Sequence, residues 1–319
     1  GVGVDTGNDL TTGLYNTLIG GLAGDALTDA DSNVAVGTSA LGADTLGSKS
    51  TAIGASALNV QNFTTATDSY NVAVGYNAGV AVTTGVGNTL IGGVAGDALT
   101  NADDNVAIGQ GALTSDTLGS KSVAIGRSAL DTQNFTTATD SYNVAVGYHA
   151  GVAVTTATSN TLIGGLAGDA LTTGSENVAV GGNALTTDDV GSRSVAIGTG
   201  ALRDQNTATA TSVYNTAVGH FAGGTMTTGI VNTLVGGLAG DAITTGNDNT
   251  VLGYGSLSAN SASNRNTAVG SATLAVFNVT TDTHTYNTAL GYGAGNAVTS
   301  GINNTLVGGL VGDALTDAD

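Results

Sequence analysis

The sequence predicts an all-β protein folded as a β-solenoid of about 18 coils. A five-residue motif, a polar residue followed by three mostly apolar residues and a glycine, recurs along the entire chain, as in Asn71-Val72-Ala73-Val74-Gly75. Its closing glycines follow a 17-17-17-21 spacing, and four such coils make one 72-residue super-repeat. A fixed period of this length is typical of solenoids, whose repeats bury apolar surface only against their neighbours. The glycine column includes Gly20, Gly37, Gly54, Gly75 and Gly92.

Each coil of the repeat divides into a strand, a corner and a return turn. Val, Ile and Thr favour a strand in the first segment. The recurring glycine suits a corner that needs a positive φ, and polar runs such as Thr28 to Ser32 suit the return turn. Helix is not expected, because the pattern lacks a 3.6-residue period and the 319 residues include 51 glycines.

No segment of the repeat has a core of its own, so we expect one continuous domain over residues 1–319. Both ends interrupt a repeat: Gly1-Val2-Gly3 resembles the end of a motif, and Leu315 to Asp319 stop where another motif would begin. The sequence is therefore expected to be a fragment of a longer repeat chain, and the lack of a signal peptide says nothing about secretion.

The composition argues against several classes of partner. The net charge is −18 and the pI is near 4.1. Nucleic acids and anionic membranes need clustered Lys and Arg, so neither is expected as a partner. No apolar run approaches the roughly 18 residues of a membrane span, which argues against membrane insertion of this segment. A chain without Cys forms no disulfide.

Coil stacking would place each residue directly above its equivalent in the coil before, 17 positions earlier or 21 across the long coil. The polar residue that opens the motif then forms a column of side-chain amides that hydrogen-bond from coil to coil. The column includes Asn16, Asn33, Asn71, Asn88 and Asn105, and it is interrupted by Ser50, Ser122 and Ser194.

Four of the six basic residues occupy one column, each at the same place in its own super-repeat. The coil before three of them carries an acid at the matching position, and the coil after each of the four carries a tyrosine there. We expect an ion pair with the acid and a cation–π contact with the ring, and an exposed ion pair contributes about 0 to 1 kcal/mol. The cations are Lys49, Lys121, Arg193 and Arg265, the acids are Asp104, Glu176 and Asp248, and the tyrosines are Tyr70, Tyr142, Tyr214 and Tyr286.

The 21-residue coil carries four extra residues near Gln61 to Ser69. These long turns recur every fourth coil and are expected to form a row of protrusions along one edge. Two arrangements are open for their aromatic residues. Phe63 and Phe135 are either exposed for contact with a receptor or folded back over the end of the coil.

The strands are expected to leave an apolar stripe on the outside of the coil. Consecutive apolar residues, as in Val34-Ala35-Val36, point to opposite faces of a strand, so only one set lies inside. A continuous apolar stripe is unusual on a soluble monomer. Burial against parallel copies of the same chain around a common axis is the simplest way to cover it.

The motif Asn-x-Ala-[Val/Ile]-Gly-x-x-Ala, present from Asn105 to Ala112 and with a leading serine from Ser122 to Ala129, resembles the head repeats of YadA-like trimeric autotransporter adhesins. The 17-residue spacing is similar to that of related bacteriophage tail-fibre repeats. The resemblance covers essentially the whole chain and implies a left-handed β-roll, a parallel homotrimer and a role in adhesion or as a fibre shaft. Those adhesin heads use shorter coils, so a triangular three-strand coil is an alternative cross-section.

Residues suited to catalysis or metal binding are few. His149 and His220 would lie about 19 Å apart along the stack, too far to share a metal or a proton, and His284 has no carboxylate cluster near it in sequence. The glycine-rich segments are not phosphate loops, because no Gly-Lys-Ser/Thr follows them. The sequence therefore predicts no enzymatic site and no cofactor.

Calcium is an open alternative at one set of aspartates. The segment Gly20 to Asp25 is similar to calcium-binding Gly-Gly-x-Gly-x-Asp repeats. Its aspartate returns only every fourth coil, so turn or capping roles are expected first. The equivalent residues are Asp97, Asp169, Asp241 and Asp313.

These features predict a non-enzymatic extracellular fibre or adhesin shaft, on a cell surface or a virion, with a cell-surface receptor or a glycan as the candidate partners at the long turns. One alternative is a subunit of an extracellular filament that stacks end to end. A second is an ice- or polysaccharide-binding solenoid, although Val34 and Val72 interrupt the row of threonines that includes Thr17 and Thr89.

Overall fold

The computed structural model describes residues 1–317, which form β-strands and turns and contain no helix. The chain divides into two compact units, Gly1–Ser159 and a second that begins at Asn160. Each unit is a β-solenoid of stacked parallel strands, and together they make about 17 turns with a spacing of about 17 residues. The predicted fold class is therefore confirmed.

The first unit contains eight three-residue strands in one parallel sheet and four two-residue strands in two further parallel pairs. In chain order they are β1 (Thr17–Ile19), β2 (Val34–Val36), β3 (Gly47–Ser48), β4 (Thr51–Ile53), β5 (Thr67–Asp68), β6 (Val72–Val74), β7 (Thr89–Ile91), β8 (Val106–Ile108), β9 (Gly119–Ser120), β10 (Val123–Ile125), β11 (Thr139–Asp140) and β12 (Val144–Val146).

Neighbouring strands of the first unit pair in the register that the repeat predicts. Thr17 lies beside Val34, its equivalent one short coil later, whereas Thr51 lies beside Val72, its equivalent across the long coil. The sheet order is β1-β2-β4-β6-β7-β8-β10-β12. The short strands pair as β3–β5 and β9–β11, which attaches each long turn to the coil before it.

The second unit repeats this plan with nine three-residue strands and four two-residue strands. They are β13 (Thr161–Ile163), β14 (Val178–Val180), β15 (Gly191–Ser192), β16 (Val195–Ile197), β17 (Thr211–Ser212), β18 (Thr216–Val218), β19 (Thr233–Val235), β20 (Thr250–Leu252), β21 (Ser263–Asn264), β22 (Thr267–Val269), β23 (Thr283–His284), β24 (Thr288–Leu290) and β25 (Thr305–Val307). The sheet order is β13-β14-β16-β18-β19-β20-β22-β24-β25, and the short pairs are β15–β17 and β21–β23.

Each coil buries the central residue of its strand and exposes part of the two flanking residues. Ala35 is fully buried, whereas Val34 and Val36 remain partly accessible. Within residues 1–317, a coil carries one three-residue strand and in some cases one two-residue strand. The described residues therefore do not form coils of three strands, which was the alternative.

Three inner positions in each coil share a narrow core. The first coil holds Leu18 in the strand and Leu27 in the return turn, and between them Gly24, where an added Cβ would lie 2.8 Å from both leucines. The next coil reverses the sizes, with Ala35 in the strand and Leu41 at the middle position, both fully buried. A large residue at the strand position thus accompanies a small one at the middle position of the same coil, and the next coil has the reverse.

Candidate self-association face and stacked side-chain columns

The outward face of the first unit's sheet consists of the first and third residues of each three-residue strand. The first position is always Thr or Val and the third is always Ile or Val, so this face carries no charged side chain. Ile19, Ile53 and Ile91 keep 44%, 39% and 37% of their surface exposed. The third-position row reads Ile19, Val36, Ile53, Val74, Ile91, Ile108, Ile125 and Val146.

The second unit has an outward face of the same composition, with leucine added at the third position. Leu252 and Leu290 are each 47% exposed. Its row reads Ile163, Val180, Ile197, Val218, Val235, Leu252, Val269, Leu290 and Val307. Because paired strands lie roughly 4.8 Å apart, these side chains form a contiguous apolar strip within each unit. Removing such a strip from water is favourable by about 25 cal/mol per Å².

The corner glycines allow successive coils to approach closely. Gly20 and Gly75 have φ of +129° and +145°, in the region that side chains rarely adopt. A Cβ on Gly54 would lie only 2.3 Å from the carbonyl oxygen of Gly75 in the next coil. The glycine column, which also includes Gly37 and Gly92, is therefore required both by backbone conformation and by stacking distance.

The asparagine column joins coils through backbone groups. The Asn33 N–H donates to Asn16 Oδ1 at 2.9 Å, and Asn33 Nδ2 donates to the Gly47 carbonyl at 2.9 Å. Direct amide-to-amide bonds are longer, as from Asn105 Nδ2 to Asn88 Oδ1 at 3.2 Å. Apart from Asn16 and Asn304, which are half-buried, the asparagines of this column are buried, and their hydrogen bonds satisfy polar atoms away from water. Asn71, Asn88 and Asn105 repeat the bond to a turn carbonyl.

A buried polar cluster replaces the missing amide where serine interrupts the column. Gln61 Nε2 donates to Ser50 Oγ at 2.9 Å and to Asp44 Oδ2 at 2.6 Å, while Asn71 Nδ2 donates to Gln61 Oε1 at 2.9 Å. Asp44, Ser50 and Gln61 are fully buried. This cluster was not predicted, although Asp and Gln return in neighbouring coils of three successive super-repeats and so give a visible signal in the sequence. Equivalent clusters surround Asp116 with Gln133 and Asp188 with Gln205.

The carboxylate of this cluster has no cation beside it. Asp44 Oδ1 accepts from the backbone N–H of Gly47 at 3.0 Å and of Phe63 at 3.2 Å, so it joins the short coil to the start of the long turn. Burial raises the pKa of Asp44, and the hydrogen bonds from Gln61, Phe63 and Gly47 oppose that rise. The same balance raises the pKa of Asp116 and of Asp188.

All four cations of the basic column lie over the expected tyrosine. Lys49 Nζ is 5.2 Å from the centre of the Tyr70 ring, within the range of a cation–π contact. The tyrosine rings are half exposed, and Tyr70 is 57% accessible. The other pairs are Lys121 with Tyr142, Arg193 with Tyr214 and Arg265 with Tyr286, at 5.5, 5.8 and 5.7 Å.

Two of the three expected ion pairs of this column form, and the third, between Lys121 and Asp104, does not. Arg193 contacts Glu176 at 3.0 Å and Arg265 contacts Asp248 at 3.5 Å, one coil back. Lys121 does not pair with Asp104 but reaches forward to Asp140, at 2.6 Å.

The forward partner explains this difference. The position of Asp140 is occupied by Asp68 in the first super-repeat, which binds Lys49 at 2.6 Å. It is Ser212 in the third and His284 in the fourth, and neither supplies a carboxylate. The arginines therefore pair backwards, and these exposed contacts contribute little to stability.

The aromatic residues of the first two long turns are buried. Phe63 and Phe135 are 5% and 6% exposed, so of the two arrangements left open by the sequence the folded-back one is adopted and exposure for contact with a receptor is wrong. They cover the coil end because their backbone N–H groups are held by Asp44 and Asp116, which directs the side chains inwards. The exposed residues of these turns are polar except for Ala66 and Ala138.

The histidines and the repeated aspartates do not gather into a metal site among residues 1–317. No group of three or more His, Asp or Glu side chains suited to a metal occurs among residues 1–317, and calcium binding at Asp25 and its equivalents stays a prediction. Asp97 Oδ1 is buried without a hydrogen-bond partner, and burial raises the pKa of Asp97.

Each histidine lies against an aromatic ring: His149 against Tyr148, His220 against Phe221 and His284 against Tyr286.

Comparison with family models, with curated proteins and with solved structures finds no match to this chain. The similarity to adhesin heads and tail-fibre repeats therefore stays a prediction. Within the described part of the chain, no helix is long and apolar enough to cross a membrane.

Proposed function

We propose that this chain is a structural, non-enzymatic segment of an extracellular fibre or adhesin shaft, whose copies associate side by side as a parallel homotrimer. The observation that carries the proposal is the outward sheet face, which is Thr, Val, Ile or Leu at the first and third positions of every three-residue strand in both units. A face of this kind is an association surface, because a monomer would leave it in water. The motif's resemblance to adhesin and tail-fibre repeats supports the extracellular assignment.

Comparison between the internal repeats supports the choice of face. The outward strand positions keep the same residue types in every coil, whereas the residue after the corner glycine varies freely. In equivalent coils it is Tyr76, Tyr148, His220 or Tyr292, and elsewhere it is Gln110 or Arg127. Contact with a partner restricts which residue types a face can carry, whereas an edge that is open to solvent can carry many types.

Solution mass is the first test. Sedimentation equilibrium of the 30.7 kDa chain is expected to give three times that mass, about 92 kDa, over a wide range of concentration. A single species at the mass of one chain would overturn the proposal. A polydisperse distribution of lengths would favour the end-to-end filament instead.

Two matched substitutions test the face itself. Ile91 lies on the outward face and Val60 lies in a long coil away from it, and their exposures are similar at 37% and 40%. Ile91→Lys is expected to shift the mass towards one chain, whereas Val60→Lys is expected to leave it unchanged. Equal effects of both substitutions would contradict a role for this face.

Strand direction is tested with single cysteines, because the chain has none of its own. Parallel copies around a common axis bring the same residue of each copy to the same height. Ile91→Cys is therefore expected to form disulfide-linked dimers on oxidation, and Val60→Cys is expected to form none. If Ile91→Cys stays monomeric on oxidation while the assembly remains intact, the parallel arrangement is wrong.

A further inference from the structure

Three of the four long turns contain the tripeptide Asn-x-Thr at the same place, and this tripeptide is the acceptor sequence for N-linked sugars. The copies are Asn62-Phe63-Thr64, Asn134-Phe135-Thr136 and Asn278-Val279-Thr280. The remaining long turn reads Asn206-Thr207-Ala208 and lacks the final hydroxyl. Asn303-Asn304-Thr305 also fits the pattern, but its threonine belongs to β25 and not to a turn.

The fold presents these tripeptides to solvent. In the first long turn Asn62 and Thr64 are exposed, while Phe63 between them is buried. The asparagine and the threonine are likewise exposed in the other two turns. In the first two turns, anchoring the middle residue therefore turns the two groups that an acceptor needs outwards together, whereas the middle residue of the last tripeptide, Val279, is half-buried.

Within residues 1–317, each of these three asparagine side chains is hydrogen-bonded through its Oδ1 atom only. Asn62 Oδ1 accepts from Thr45 Oγ1 at 3.0 Å, and Asn134 Oδ1 accepts from Thr117 Oγ1 at 3.1 Å. Asn278 Oδ1 accepts from Ser261 Oγ at 3.1 Å. Among the described residues, none accepts a hydrogen bond from Nδ2 of these three asparagines. The oxygen thus fixes the carboxamide and the nitrogen faces solvent.

We propose that Asn62, Asn134 and Asn278 are acceptor sites for N-linked sugar, an inference that rests on the proposed extracellular role. The donor is a sugar whose anomeric carbon carries a pyrophosphate, on either a lipid or a nucleotide. Nδ2 bonds to the anomeric carbon as the bond from that carbon to the pyrophosphate oxygen breaks. The pyrophosphate leaves with the bonding electrons, and Nδ2 loses one proton to solvent.

The test treats the purified, folded full chain in two arms. One arm uses an oligosaccharyltransferase with a lipid-linked oligosaccharide, and the other uses a soluble N-glycosyltransferase with UDP-glucose. We expect sugar on Asn62, Asn134 and Asn278 by intact mass and peptide mapping, in at least one arm, and the arm that succeeds identifies the donor. A single Asn→Gln change at each site should remove one sugar.

The third long turn supplies an internal control. Asn206 is exposed, and its N–H donates to the Thr227 carbonyl at 2.9 Å, as the Asn62 N–H does to the Thr83 carbonyl at 2.9 Å. Asn206 is expected to stay unmodified in the natural chain and to gain a sugar in Ala208→Thr. The proposal is overturned if the folded chain takes no sugar in either arm while a synthetic peptide of residues 60–66 is modified. Sedimentation of the untreated protein tests the fibre proposal separately.

Discussion

Among single residues, the corner glycines determine how closely two coils approach. Gly92 has φ of +138°, and a Cβ added there would lie 2.5 Å from the carbonyl oxygen of Gly109. The next residue, Gly93, lies outside the left-handed region, and an added Cβ would have no atom within 4 Å. There is therefore no space for a side chain at Gly92, whereas there is space for one at Gly93.

Alanine substitution at these two glycines separates their roles. Gly92→Ala is expected to lower the free energy of unfolding by about 3 kcal/mol, because it combines a strained φ with a clash against a backbone carbonyl. Gly93→Ala is expected to change it by less than about 0.5 kcal/mol. Denaturant unfolding followed by circular dichroism measures both. Similar losses for the two variants would show that stacking distance is not what the glycine column provides.

Repeat arithmetic predicts which residues share a column, but it does not predict which neighbour a side chain chooses. The column of Lys121 follows from the spacing of the motifs, and Tyr142 lies where that spacing places it. The column offers Lys121 an acid in the coil before and another in the coil after, and it binds Asp140 instead of Asp104. That choice depends on the path of the long turn, which the spacing of the motifs does not specify.

At the level of single coils, the core is built by exchanging large and small residues between neighbours. Leu90 and Leu99 surround Gly96, where an added Cβ would lie 2.7 and 2.8 Å from them. In the following coil Ala107 takes the strand position and Leu113 the middle position. Leu113 adopts φ of +54°, so a leucine is tolerated in the conformation of Gly96, whose φ is +55°. The available volume, and not the backbone, decides between Gly and Leu.

A double-mutant cycle tests this volume exchange. Gly96→Leu alone is expected to cost about 1–3 kcal/mol by overpacking, and Leu90→Ala alone about 2–5 kcal/mol by leaving a cavity. The double variant copies the strand and middle positions of the next coil, although Leu99 stays where that coil has Asp116, and it is expected to be more stable than the sum of the two losses predicts by at least about 1 kcal/mol. Strictly additive losses, measured by denaturant unfolding, would show that the two positions do not share one space.

The alternation of Gly and Leu was visible in the sequence, but its cause was not. In the sequence, the fourth position after the corner glycine cycles through Gly24, Leu41, Leu58 and Gly79. Only the packing shows that Gly79 leaves room for Leu90 of the next coil, whose Cδ1 would lie 2.6 Å from an added Cβ. Such complementarity between coils is a property of three-dimensional volume, so a one-dimensional period does not reveal it.

Over the whole molecule, two kinds of carboxylate respond to pH in opposite directions. Burial raises the pKa of Asp116, and the hydrogen bonds from Gln133, Phe135 and Gly119 only partly offset it. The hydrogen bond from Lys121 lowers the pKa of Asp140, which is fully exposed. Both act on a chain of net charge −18, whose general repulsion also weakens as carboxylates become protonated.

The sign of each contribution follows from where the proton binds more tightly. A carboxyl with a raised folded pKa favours folding fully below its unfolded value of 3.8, and this contribution is lost as the pH rises through the folded pKa. A carboxyl with a lowered folded pKa favours folding above 3.8 and loses this contribution as the pH falls through the folded pKa. From pH 3.8 up to their raised folded pKa values, the buried carboxylates therefore make stability fall as the pH rises.

Two substitutions that each remove one negative charge separate the buried carboxylate from the general repulsion. Asp116→Asn keeps an oxygen for the N–H groups of Gly119 and Phe135, and it removes the buried charge that accepts from Gln133 Nε2. Asp104→Asn makes the same charge change at an exposed site. We expect the fall in unfolding free energy from about pH 4 to about pH 8 to be smaller in Asp116→Asn than in the natural chain. Asp104→Asn should retain nearly the natural slope. Denaturant unfolding at several pH values measures the three slopes, and equal slopes for the two variants would assign the pH dependence to net charge alone.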